Sequence, residues 1–366
     1  MTDRLAPDYA EARRRFLAAA GAAGAMITTH PHPEVAGPDG EELAVDVARL
    51  GRGDAPSVLI VVSGTHGVEG FAGSALQTQW LTRSAAELRP GLALVFVHAL
   101  NPYGFAWVTR TNEDNVDLNR NFVDFAEPPA NPGYDELAPM LVPERWDDRS
   151  RQTSTEALFA EAGHRGLEEM QRIISGGQYD HQVGVFYGGT GPVWSHRWLR
   201  ANAPDLAGPA RRVGVIDLHT GLGPWGHGEL MVTPGSDDPI TMRAKRWWGD
   251  VRSMVDGDSA SAELTGDWLN VVEELWPSAE VTAVCLEYGT VDEVTVLQAL
   301  RGEAWLFGER ARLGHEPEAG GDGDAPGQAI RAEVRAAFAD DDPAWLEALR
   351  PRFDDVMAAA IDQLAG

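Results

Sequence analysis

Four short apolar runs constrain this chain more than any other feature: VLIVVSG (58–64), LALVFVHAL (92–100), RVGVIDLHT (212–220) and VTAVCLEYGT (281–290). Each is rich in β-branched residues and bounded by turn residues. Runs so uniformly apolar predict strands buried on both faces, as in a largely parallel sheet. ELAVDVARL (42–50) and ELMVTPG (229–235) are weaker strand candidates. Helical periodicity occupies 72–88, 155–174, 242–255, 292–313 and 343–364. Buried strands alternating with helices predict an α/β fold, a three-layer α/β/α sandwich with a mostly parallel mixed sheet. The proline-rich stretch near 124–154 and the Gly/Asp/Pro-rich 314–328 read as long loops. No repeat and no clean linker interrupts the 366 residues, so one domain spanning 1–366 is expected.

Charge and composition narrow the function. A net charge of −26 argues against nucleic acid and against an anionic membrane surface as partners. The single cysteine, Cys285, cannot build an internal disulfide framework and fits a reducing compartment. In the opening MTDRLAPDYAEARRRF, acidic residues precede the arginines, which reads as a helix rather than a signal peptide. No run approaches the 18 or so apolar residues of a spanning helix. A cytoplasmic protein is expected.

Chemistry concentrates where the strands end. VLIVVSG breaks into THGVEG, which places His66 and Glu69 three positions apart among glycines. A second histidine, His219, stands where VGVIDL gives out. Ligands of open α/β sheets bind outside the carboxyl ends of the strands, so these three side chains could share one crevice. Two imidazoles and a carboxylate, with a fourth position open to water, form the ligand set of a catalytic zinc site. Taken alone, H-x-x-E reads more readily as polar loop residues; the second strand-end histidine brings the two readings level. Glu287 closes another apolar strand, where desolvation would lift its pKa toward that of a general base. Arg110 and Arg120, in NPYGFAWVTRTNEDNVDLNRNF (101–122), could supply fixed positive charge to an oxyanion and to a substrate carboxylate.

The ordered series H-x-x-E, N-P-Y-G, R, D-L-N-R-N-F, D-L-H and L-E-Y-G, from about 58 to 290, resembles the zinc carboxypeptidase superfamily of metallopeptidases. The resemblance implies one zinc per chain on His66, Glu69 and His219, with Glu287 as general base. It implies Arg110 polarising the scissile carbonyl, and Asn119 with Arg120 gripping a substrate carboxylate. The interval 220–286 lacks the tyrosine of digestive-type members, and Tyr288, next to Glu287, points to the opposite strand face. The ten-residue spacing of Arg110 and Arg120, with IDLHTG and LEYGT, resembles the aspartoacylase and succinylglutamate desuccinylase branch. The chain is closest to a bacterial branch of the superfamily known as a domain of unknown function. The resemblance implies amide hydrolysis beside a free carboxylate, on a small peptide or on an N-acyl amino acid. A binding protein that keeps the fold without turnover is the rival from another class.

Other motifs carry less. GLGPWG (221–226) matches G-x-G-x-x-G, but Pro224 and the strand-like run behind it deny it a phosphate-binding helix. His181, Tyr179 and Tyr187 within 177–189, and His227, are candidates for a pocket wall. Cys285 shares a strand face with Glu287 and reads as packing.

Overall fold

The strands form where period-two burial serves two apolar faces at once. In the computed structural model, which describes residues 4–84, 88–259, 261, 264–314 and 325–366, the first half of the chain runs α1 (Tyr9–Ala22), β1 (Met26–Ala36), β2 (Glu42–Leu50), β3 (Ser57–Ser63), α2 (Gly70–Ser84), β4 (Leu92–His98), α3 (Pro102–Trp107), α4 (Pro132–Leu141), α5 (Asp148–Arg165), α6 (Leu167–Ser175) and α7 (Trp194–Ala207). The second half runs β5 (Arg212–Trp225), β6 (Gly228–Val232), α8 (Pro239–Trp248), β7 (Arg252–Ser253), α9 (Val272–Leu275), β8 (Glu280–Gly289), α10 (Glu293–Leu313), α11 (Ala325–Phe338) and α12 (Pro343–Ala365).

Among the described residues the strands make one eight-stranded sheet in the order β1-β2-β4-β3-β5-β8-β6-β7. Its centre, β4-β3-β5-β8, is parallel, while β1, β2 and β6 join antiparallel. Alternate residues of β3 enter opposite cores, because successive strand side chains point to opposite faces. Leu59 and Val61 pack with Phe16 of α1, Leu76 and Trp80 of α2, and Phe353 and Val356 of α12. Val58, Ile60 and Val62 pack with Trp198 and Leu206 of α7 and Val272 of α9. Helices therefore cover both faces, and the fold is the expected α/β/α arrangement with a mixed sheet. Aspartates start several helices by accepting a backbone N–H: Asp8 from Glu11, Asp147 from Ser150, Asp292 from Thr295 and Asp342 from Ala344.

Several expectations need correction. The stretch near 124–154 is not one open loop: it carries α4, with Pro132 at its first position, and the start of α5. Proline is welcome there because a helix's first N–H groups have no intrahelical partner. The periodic run 155–174 is two helices, parted at Gly166, whose φ of +88° no helix tolerates. The run 242–255 ends as a helix at Trp248, where Gly249 takes φ +79°. Within the expected loop 314–328, residues 315–324 lie outside the described residues and α11 opens at Ala325. No helix of the described residues is long and apolar enough to cross a membrane.

Candidate metal centre

The carboxyl ends of β3, β5 and β8 converge. His66 follows β3 and opens a single 3-10 turn, Gly67–Glu69, that leads into α2. Close packing sets the backbone here: a Cβ on Gly67 would lie 2.0 Å from the carbonyl carbon of Gly104, so only glycine fits against α3. The 109–111 loop is hydrogen-bonded to this turn, Gly67 N–H donating to Arg110 O (3.1 Å) and Val68 N–H to Thr109 O (2.9 Å). On β5, His219 stands in register with Glu287 of β8.

His66, Glu69 and His219 are buried, and one candidate ligand atom from each lies within 4.8 Å of the others. His66 Nδ1 is 2.9 Å from Glu69 Oε1, and His219 Nδ1 is 2.8 Å from Glu69 Oε2. The two Nδ1 atoms face each other at 3.1 Å. Each far ring nitrogen is taken by a buried carboxylate: His66 Nε2 lies 3.1 Å from Asp117 Oδ1, and His219 Nε2 lies 2.7 Å from Asp217 Oδ2. Each carboxylate can accept a hydrogen bond from Nε2–H, a tautomer that leaves the lone pair on Nδ1. Two lone pairs and an anionic carboxylate then meet at one point, an arrangement suited to a cation. Carboxylates behind metal-bound histidines set tautomer and ring orientation in the same way. A divalent transition metal fits this donor set, and N/N/O ligation with a further open position suits zinc.

The carboxylates give the cluster a field that favours a cation there, either a proton on His219 or a metal ion that displaces it. Burial would raise the pKa of Asp117, but Arg110 and His66 hold it well below the ordinary range. Burial would lower the pKa of His219, but Asp217 and Glu69 hold it well above the ordinary value. Glu287 behaves oppositely: burial, then the charge of Glu69, pushes its carboxyl up to about 7. Its Oε1 accepts the Leu222 N–H at 2.9 Å.

Arg110 sits beside the cluster, Nη1 donating to Glu69 Oε1 (2.7 Å) and Nε to Asp117 Oδ2 (3.2 Å). Arg120 is 2% exposed; its Nε and Nη2 donate to Ser175 O at the end of α6 (3.1 and 2.6 Å), and Nη1 donates to Asn119 O (3.1 Å). Asn119 is buried beside it, and its side-chain Oδ1 has no hydrogen-bond partner. Both guanidinium groups lie over the ring of Phe186, at 5.7 and 5.1 Å. Phe186 takes φ +55°, a strained backbone for a bulky residue and the kind that collects at functional sites. His66, His219, Glu287, Arg110, Asn119 and Arg120 all line one cleft of about 320 Å³. Glu69 is buried and contacts both histidines without being among the lining residues.

Several site residues escaped the sequence reading. Asp217 was legible in principle, because residues two apart on a strand share a face and it precedes His219 by two. Asp117 lies within the DLNRNF motif, yet nothing there names it as the partner of a histidine 51 positions away. Glu303 of α10 is buried and accepts from Arg110 N–H (2.9 Å), Thr111 N–H (3.0 Å) and Thr111 Oγ1 (2.7 Å), clamping the loop that carries Arg110. Other candidates turn away from the cleft. The Tyr288 hydroxyl donates to Leu349 O, and the Tyr179 hydroxyl to Arg120 O. His181 pairs with Asp135, and His227 is not among the cleft residues. Cys285 does line the cleft, on the same strand face as Glu287.

Solved structures similar to this chain include a candidate metallopeptidase of Shewanella amazonensis SB2B (13% identity, 98% of this chain and 93% of that chain, TM-score 0.47). Carboxypeptidase A of Helicoverpa armigera is another (12% identity, 92% and 75%, TM-score 0.48). An aspartoacylase family protein of Mesorhizobium loti is a third (16% identity, 77% and 66%, TM-score 0.39). No curated protein matches the chain. Residues 5–350 match the family described as "Protein of unknown function (DUF2817)", and with that span, nearly the whole chain, the protein belongs to this family.

Proposed function

We propose that the protein is a zinc-dependent hydrolase that cleaves an amide bond next to a free carboxylate. One observation carries the reading: two Nδ1 lone pairs and a carboxylate converge in a cleft, with a second carboxylate, Glu287, in strand register beside them. When bound, the metal supplies a Lewis acid for the carbonyl oxygen and makes water more acidic. The chain's own residues do the rest. Glu287 Oε1 is engaged by Leu222 N–H, so the proton of the attacking water is taken at Oε2. A carboxyl with a pKa of about 7 both accepts that proton and returns it to the leaving nitrogen near neutral pH. As the C–N bond breaks, the products are a carboxylic acid and an amine. Arg110, held by Glu69 and Asp117, keeps a fixed cation beside the developing negative charge. The guanidinium of Arg120, with the Nδ2–H of Asn119 beside it, supports recognition of the substrate's carboxylate, and the unpartnered Asn119 Oδ1 is left to accept from a substrate N–H.

A peptide losing its C-terminal residue and an N-acyl amino acid both meet this description. A silent binding protein on the same fold has no need of a base such as Glu287 beside the cluster. The test compares wild type with Glu287→Gln on matched substrates, free acid against carboxamide, alongside metal content. About one zinc per chain is expected in both proteins. Turnover should fall at least roughly a hundredfold in the variant, and wild type should strongly prefer the acid. Wild-type turnover in Glu287→Gln would refute the mechanism.

A further inference from the structure

The cleft continues outward from the cluster between two walls whose chemistry the hydrolase reading does not use. One wall is α5 with α6: Leu158, Phe159, Ala162, Met170 and Ile174 face the cleft. The opposite wall is Val294, Leu297 and Leu300 of α10 with Phe338 at the end of α11. Three large apolar side chains stand exposed at the mouth: Phe159 (56%), Leu167 (77%) and Val294 (45%).

The direction of the channel follows from Arg120. Its guanidinium is bound to Ser175 O, so the C-terminal end of α6 lies at the buried arginine and Leu167, at the other end, lies at the rim. Leu167, Met170, Gln171 and Ile174 have the i, i+3, i+4, i+7 spacing of one helix face. They run about 10 Å from rim to interior, the length of an extended chain of about eight carbons. An amino acid held at its carboxylate by Arg120 lies at the inner end and is too short to reach the rim. What fills the outer channel is the acyl side of the amide.

The walls also decide what kind of acyl group fits. Among the described residues they carry no Lys or Arg outside Arg110 and Arg120, and Glu293 is the charged side chain among their α10 residues. A dicarboxylic acyl group would bury or approach its second carboxylate without a partner. A peptide would bring backbone N–H and C=O groups against walls lined mostly by apolar side chains. Of the polar side chains there, Thr155 and Gln298 are engaged with each other and with Arg301, and Gln171 stands exposed on the α6 face. Unpaired buried polar groups are costly, whereas a hydrocarbon chain has none.

We infer that the substrate is an N-acyl amino acid with an unbranched aliphatic acyl chain of about eight carbons, lodged between α5–α6 and α10; this rests on the hydrolase reading above. The test uses N-acylalanines with acetyl, butanoyl, hexanoyl, octanoyl and succinyl groups, and Ala-Ala-Ala as a peptide. Hydrolysis is followed with wild type and binding by calorimetry with Glu287→Gln. Each added methylene up to octanoyl should raise kcat/KM and affinity by about two- to fourfold, while succinyl and the peptide fall below hexanoyl. The double variant Phe159→Ser/Leu167→Ser, altered only at exposed positions, should flatten the series. A flat series in wild type, or preference for succinyl or the peptide, overturns the inference and leaves the hydrolase reading standing. Binding that climbs with chain length while wild type hydrolyses nothing overturns the hydrolase reading instead.

Discussion

Removing the Asp217 carboxylate isolates the electrostatic support of the candidate metal centre. Asp217 is fully buried and accepts three hydrogen bonds: Thr65 Oγ1 (2.8 Å), Trp268 Nε1 (2.7 Å) and His219 Nε2 (2.7 Å). Asp217→Ala strands two neutral donors, Thr65 O–H and Trp268 N–H, at about 1–3 kcal/mol each. A stability loss of roughly 2–6 kcal/mol follows from those two groups. Asp217→Asn keeps an acceptor for Trp268 and His219 and turns its NH2 toward Thr65, whose oxygen accepts. The asparagine variant should therefore unfold within about 1 kcal/mol of wild type while losing the negative charge behind the imidazole. That charge raises ligand basicity and fixes the Nε2–H tautomer, so zinc affinity should drop about 10- to 100-fold. Chelator competition measures the affinity and calorimetric unfolding of the metal-free proteins measures the stability. Unchanged zinc affinity in both variants would refute the reasoning and leave Asp217 a packing group.

Glu303→Ala should leave zinc content intact but displace the 109–111 loop, lowering kcat more than it raises KM, because Arg110 N–H and both Thr111 donors lose their acceptor; a normal kcat would show that the clamp does not position Arg110. Gly67→Ala should lose zinc binding and stability together, since the new Cβ meets the backbone of Gly104 at 2.0 Å; a stable, zinc-loaded variant would show that α3 yields easily. His98 is buried on β4 against Phe16, and burial lowers its pKa to about 4. Between that value and about 6.5 the unfolded chain binds the extra proton. Its contribution, on the order of 3 kcal/mol, is therefore complete above pH 6.5 and lost as pH falls toward 4. Denaturant unfolding at pH 7 and pH 4.5 should show a shallower pH dependence in His98→Gln than in wild type, and equal slopes would sink the assignment.

Some of this molecule was legible in its residues because burial leaves a periodic trace. β3, β4, β5 and β8 are covered on both faces, so apolar side chains follow one another without a polar gap. β1 left no such trace: it is an edge strand, mostly exposed, and its HPHP run carries none of the usual strand signal. α7 was hidden for a related reason, since WSHRWLRANAPDLA holds Pro204 and a polar face. His66, Glu69, His219 and Glu287 stood out because a polar side chain at the end of an apolar strand is conspicuous, and the structure gathers these four in one place. Only the tertiary structure decided what supports and surrounds them. Asp117 reaches His66 across 51 positions and Glu303 reaches Arg110 across 193, and no local pattern records contacts over such separations. The apolar walls of the cleft posed the same difficulty in reverse: an amphipathic helix face reads identically in sequence whether it meets the core or an open channel. The sequence by itself marked which polar side chains stand at the ends of apolar strands, because polarity there is locally visible; the packing of α5, α6 and α10 decided the shape of the cleft around them, because it depends on contacts no local pattern records.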